Sequence, residues 1–398
     1  MDESNFYRKT LENGVTVLFE KRSLGVVAVA TSVKYGAQYE SESEKGISHF
    51  IEHLVFKGTK NRSVEQIPKE IEDKGGIINA FTSEEVTCFW NKLPRAHFHL
   101  GADLSRDLVL NPLFEKTALE RERKVILEEI KMYHDNPTSY VFEKIKELLY
   151  EKPFNMSIAG TIPSVSRLSR EQIVVLHNSM YTTNNMVFSV VGNTDFEQVV
   201  AEAKKFPKSV CSLRPPVIVP SYKTFSEKRK GIDQAHTVFG FHMPTLHHKL
   251  RYASEIFDSI LGGGMSSRLF QELREKRGLC YSVKSNLEQS RAYAHELIYA
   301  GTVKEKVRIV KDIILREIKK IHTLSHAELA EAQERLIGLR EISKEKCDST
   351  MIDLLQEELG GNAKQYYHYE ENINKIRLRD VRQLSKLAGY SFVSLVPY

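Results

Sequence analysis

Apolar positions at Phe50, Ile51, Leu54 and Val55, and again at Leu119, Ile126, Ile130 and Tyr133, recur with helical spacing, so both stretches are read as helices with one face on a core. At about 100° per residue, the second set falls within about 40° of a common centre. Thr117-Ala118-Leu119-Glu120 has the form of a capping box with Thr117 as N-cap, which predicts a helix from about 118 to 134, stopping before Asn136-Pro137. Gly75-Gly76 reads as a helix stop before a strand, Ile77-Ile78-Asn79-Ala80-Phe81-Thr82-Ser83, and Val86-Thr87-Cys88-Phe89-Trp90 as its hairpin partner. In the second half, Gly262-Gly263-Gly264 is a turn opening a helix capped by Ser266 or Ser267 and ending at Gly278, before the strand-like Tyr281-Ser282-Val283. Long helical stretches follow, Val303 to Ile321 and His326 to Ile342.

The 398 residues exceed what one hydrophobic core usually serves, so at least two domains are expected. Four of the 12 prolines, Pro207, Pro215, Pro216 and Pro220, fall close together, which disfavours helix or central strand and predicts an extended linker at 207–230. The parts it separates, 1–206 and 231–398, are similarly organised: strands, a helix near a Gly-containing turn, more strands, a helix-rich end. That pattern predicts a duplicated α+β unit.

Several function classes are excluded by composition. No apolar run approaches the about 18 residues of a membrane span, and the start, Met1-Asp2-Glu3-Ser4-Asn5, is acidic and polar rather than a basic leader, so a cytoplasmic location is expected. Cys88, Cys211, Cys280 and Cys347 have no metal spacing and are expected to remain thiols. A net charge of +5 with one short basic run, Lys228-Arg229-Lys230 at an expected loop, gives no nucleic-acid surface.

Chemistry enters at His49-Phe50-Ile51-Glu52-His53. Residues four apart on a helix lie about 40° and about 6 Å from one another, so His49 and His53 can share one metal ion. Glu52 can take a proton from water beside it. The bland alternative is a core helix whose histidines make ordinary hydrogen bonds. A catalytic zinc takes a third protein ligand, and Glu129, at the edge of the apolar arc of 118–134, is a candidate because a carboxylate against apolar surface needs a partner. Glu122 lies on nearly the same face and could form an outer shell; Glu128 points away. Without the histidines, both edge glutamates read as partners of Lys or Arg. A phosphate-cradling role for 262–264 is disfavoured, since no Gly-Lys-Ser/Thr follows. Read alone, Arg274 is a solvated helix residue and Tyr281 a half-buried strand aromatic.

The inverted order His49-x-x-Glu52-His53, followed by Glu122 to Glu129, resembles the pitrilysin/insulinase family of zinc peptidases, above all its small processing-peptidase-like prokaryotic members. The resemblance implies two homologous α+β domains, each a mostly antiparallel sheet packed with helices, facing each other across a cavity. It makes His49, His53 and Glu129 ligands of one Zn²⁺ per chain, Glu52 the general base and Glu122 a supporting acid. Asn79, Ala80, Phe81 and Thr82 become an exposed edge that takes a peptide as an added strand, and Arg274 and Tyr281, on the second domain, reach the substrate. The implied activity is a zinc endopeptidase of short or unfolded peptides, working as a homodimer. The alternative is a non-catalytic peptide-binding or assembly subunit. His247-His248 carries no such motif, so the second half is expected to be silent alone.

Overall fold

The computed structural model describes residues 3–398; Met1 and Asp2, part of the acidic start, lie outside the described residues. Two α+β units form, each around its own sheet. The first sheet holds β1 (Phe6–Thr10), β2 (Thr16–Lys21), β3 (Val26–Val33), β4 (Ile77–Thr82), β5 (Thr87–Pro94) and β6 (Met186–Gly192), in the order β1-β2-β6-β3-β5-β4. The second holds β7 (Thr224–Arg229), β8 (Ala235–His242), β9 (Cys280–Gln289), β10 (Ala294–Thr302) and β11 (Ser391–Pro397), in the order β7-β11-β8-β10-β9. The order β2-β6-β3-β5-β4 is therefore repeated strand for strand. In both sheets the first strand of this set pairs parallel with the last in chain order, and the remaining pairs are antiparallel.

Central strands are apolar on both faces because both faces are covered. Along β3 and β6, Val27, Val29, Phe188 and Val190 enter the core with the helix Ile47–Val55. Ala28, Ala30, Val187 and Val191 face the other way, onto Met351, Leu354 and Leu355 of the helix Cys347–Leu359. That helix comes from the second half of the chain. Conversely, the helix Pro137–Leu149 lies in the second unit, its Val141, Ile145 and Leu149 packed with Val238, Leu297, Val393 and Leu395. A Cβ on Gly240 would come within 2.9 Å of Leu149 and 3.0 Å of Ile145, so glycine there lets the helix approach β8.

The first unit thus combines the stretch ending at Ile130 with Ser157–Pro216 and Ser343–Tyr367, and the second combines Lys131–Met156, Val217–Ile342 and His368–Tyr398. The single break expected at 207–230 differs from this because periodicity shows that a helix has an apolar face, not which sheet will cover it. Residues 207–223 do lack a helix or strand, whereas 224–229 forms β7, and with it Lys228 and Arg229 lie on a strand, not in a loop. The helix after the triple glycine runs from Arg268 to Glu275, with Phe270–Glu275 wound as a π-helix. All four cysteines are free thiols, and among the described residues no helix is long and apolar enough to cross a membrane.

One buried pair in the second unit carries a pH dependence. Glu296 on β10 is fully buried, and neither carboxylate oxygen has a conventional donor, its partner being the carboxyl of Asp258. That contact is a hydrogen bond only with a proton between the two groups. Burial first, and the Asp258 charge second, push Glu296 well above the usual carboxylate range. A raised folded pKa means stability present at acid pH and lost as pH rises past the unfolded value, by at most about 1.4 kcal/mol per pH unit. Glu296→Gln is therefore expected to melt higher than the parent at pH 8, with the gap closing towards pH 5. Thermal unfolding at both pH values checks it; parallel curves would refute the shared proton.

Candidate metal centre

The helix Ile47–Val55 is positioned from its first residue. Gly46, its N-cap, has φ of 94°, and a Cβ there would lie 2.7 Å from the Ala159 carbonyl oxygen and 2.8 Å from Gly160 Cα, so only glycine fits. No side chain of the cap residue itself serves the first turn. The buried Glu40 does, accepting from Gly46 N at 2.9 Å and Ser48 N at 2.8 Å. Phe50, Ile51, Leu54 and Val55 fill the core as their spacing predicts, which leaves His49, Glu52 and His53 on the partly open face.

The opposing element is the helix Lys116–Asp135, with Leu119, Glu122 and Ile126 as its buried residues. It begins before Thr117, which lies inside its first turn rather than capping it. Glu129 is half-buried and Glu128 exposed, in agreement with the expected arc. Glu129 Oε2 lies 3.8 Å from His49 Nε2 and 3.6 Å from His53 Nε2. Donor atoms of His49, His53 and Glu129 all fall within 4.8 Å of one another. His53 Nδ1 meets Glu122 Oε2 at 3.3 Å, and Lys57 Nζ is 3.0 Å from Glu122 Oε1. A proton on His53 Nδ1 leaves the Nε2 lone pair facing Glu129, the orientation in which a ligating histidine is usually held. His49 Nδ1 is buried without such a bond.

These residues fit a zinc ion: two imidazoles and a carboxylate, from two helices, with one side still partly open. Burial, followed by the neighbouring His53, lowers His49 to about 4, so it is a neutral donor at pH 7. Glu52 is raised, chiefly by burial, while the Thr82 hydroxyl and then His53 work against the shift. Thr82 Oγ1 donates to Glu52 Oε2.

Thr82 belongs to β4, the edge strand beyond β5, and register runs from Ile77 opposite Lys92 to Thr82 opposite Thr87. The outer edge of β4 pairs with no strand among the described residues. Asn79 turns its side chain back, Oδ1 accepting from Ala80 N at 2.8 Å. In the second unit, the Arg274 guanidinium lies 5.3 Å from the Tyr281 ring centre and 4.8 Å from that of Phe270. Tyr281, on the edge strand β9, is 79% exposed, not half-buried.

Three contributors had no motif to reveal them: Glu40, Lys57 and the Thr82 hydroxyl. Each acts through a contact between residues distant in the chain or outside the helix pattern; the resemblance pointed to Thr82 as part of a peptide-binding edge, not to its hydroxyl as a partner of Glu52.

Residues 16–162 match the family described as Insulinase (Peptidase family M16), and residues 167–336 match the Peptidase M16 inactive domain. A Rickettsia felis protein named as an uncharacterized zinc protease is 30% identical over 92% of this chain and 89% of its own length. Another of that description, from Mycobacterium leprae, is 32% identical over 96% of this chain and 88% of its own. Among solved structures, a Helicobacter pylori protease superposes with a TM-score of 0.91 at 22% identity, covering 98% of this chain and 99% of that one. A Pseudomonas fluorescens peptidase M16 inactive domain gives 0.87 at 19%, covering 99% and 98%.

Proposed function

The chain belongs to the insulinase (M16) peptidase family, and on that premise we propose that it is a zinc-dependent endopeptidase acting on short or unfolded peptides. The observation that carries the reading is the placement of Glu52 on the same helix face as His49 and His53, against Glu129 from a second helix. Bound zinc supplies Lewis acidity, polarising a carbonyl and making water acidic enough to lose a proton near neutral pH. Glu52 takes that proton and returns it to the departing amine. Its partial burial suits both tasks, since a carboxylate kept from full solvation is a stronger base. Glu122 holds the His53 ring through Nδ1. The β4 edge offers main-chain groups to a peptide. Arg274, with a planar fork suited to carbonyls or a carboxylate, and Tyr281, a hydroxyl donor for a developing oxyanion, are further substrate contacts in this proposal. A homodimer and the cytoplasm complete it.

Hydrolysis of a quenched peptide library with and without a chelator, followed by mass spectrometry of the cut sites, tests the reading. Chelator-sensitive cleavage is the expected result; chelator-insensitive cleavage would remove the metal from it. A second reading, a non-catalytic peptide-binding or assembly subunit, is left open by the match of residues 167–336 to a domain described as inactive. A zinc-loaded chain that binds peptides and cleaves none would establish that alternative.

A further inference from the structure

Side chains along β4 alternate between the two faces of the sheet. Ala80 packs against the core cluster that contains Phe50 and Leu54, whereas Phe81 packs in the cluster on the opposite face. Thr82 shares the face of Ala80, and from there its hydroxyl donates to Glu52 Oε2. Among the described residues, this is the hydrogen bond that the Glu52 carboxylate receives. A glutamate has three rotatable bonds, and one in a partly buried setting that lacked this donor would be free to turn. Threonine is well suited to stop it: its branched Cβ restricts χ1, so the direction of Oγ1 is set by the strand itself.

We propose that Thr82 is a positioning residue for peptide hydrolysis, tethering the general base to the edge strand so that Glu52 is aimed by the element that receives the peptide. The proposal rests on the peptidase reading and deepens it. The hydroxyl of Thr82 is thereby assigned to the base, and only its main chain is left for substrate. Ala80, on the same face, contributes no polar group that could compete for Glu52.

The test compares Thr82→Val, which keeps the shape and loses the hydroxyl, with Thr82→Ser, which keeps the hydroxyl. Thr82→Val should lower kcat about 10- to 100-fold, within what a correctly placed base contributes, with KM and the zinc dissociation constant each within about twofold of the parent. Thr82→Ser should restore most of the loss. Crystal structures of the zinc-loaded variants should show the Glu52 carboxylate displaced in Thr82→Val and in its parental position in Thr82→Ser. Parental kcat in Thr82→Val, an unmoved Glu52, or an equal fall in kcat and zinc affinity in both variants would each overturn the proposal. Should Thr82→Val fail to fold, Thr82→Ala supports the same comparison. A zinc-loaded parent that cleaves no peptide would instead overturn the peptidase reading, and the crystallographic comparison would still decide whether Thr82 orients Glu52.

Discussion

Zinc-loaded Glu52→Gln should keep about one metal ion per chain and lose turnover by a factor of about 10² to 10⁴, the span attributed to a positioned general base. Glutamine has nearly the same shape, and its carbonyl oxygen can still accept from Thr82, so the helix and the strand should hold their places. What it lacks is basicity. The ligand atoms belong to His49, His53 and Glu129, none of which the change touches. Metal content by mass spectrometry and hydrolysis of the quenched peptides, measured on one preparation, separate the two properties. Hydrolysis at the parental rate would reject Glu52 as the base, and loss of metal would mean that Glu52 helps to build the site.

Removing the ligands should produce an ordered series in zinc affinity. Glu129→Gln is expected to weaken binding by more than about 100-fold, because it discards the anionic donor facing both Nε2 atoms. Glu122→Gln should fall within about 10- to 100-fold, the usual effect of losing a group that orients a ligand. Glu128→Gln, exposed on the far side of the same helix, should bind as the parent does. Competition titration against a chelating dye gives all three values. If Glu128→Gln weakened zinc more than Glu129→Gln, the assignment from helix geometry would be wrong. Folding should survive in each, since none of the three side chains fills the hydrophobic core.

The site was legible because its residues lie on two helices whose spacing fixes direction. A 100° step sends His49 and His53 to one side and separates Glu129 from Glu128, and no tertiary information is needed for either inference. Hairpin pairing of β4 with β5 was equally readable, as its signal is local. Harder to see was Glu40, which satisfies the first turn of a helix from outside it, since many carboxylates could have filled that role. The capping pattern at Thr117 was misleading for a related reason: a four-residue motif reports a local preference, and the helix gained further residues at its start. Prolines located the extended stretch at 207–223 but not its end, because the alternating exposure of β7 arises only once β11 lies beside it. The helices Pro137–Leu149 and Cys347–Leu359 were expected only as part of a helix-rich end to each half, and even a clear apolar face would not have named the sheet that each covers.

That last exchange makes the two halves of the chain mutually dependent as folding partners. Residues 1–206 made alone would lack Met351, Leu354 and Leu355, leaving the face formed by Leu18, Ala28, Ala30, Val187 and Val191 bare to water. Residues 207–398 made alone would lack the helix that covers Val238, Leu297, Val393 and Leu395. Exposed patches of that kind drive self-association. Each fragment should therefore aggregate when produced singly, whereas the two produced together should recover a nicked but soluble protein, the split falling in a stretch with no ladder to break. The chain is, in effect, a complementation pair joined by a tether.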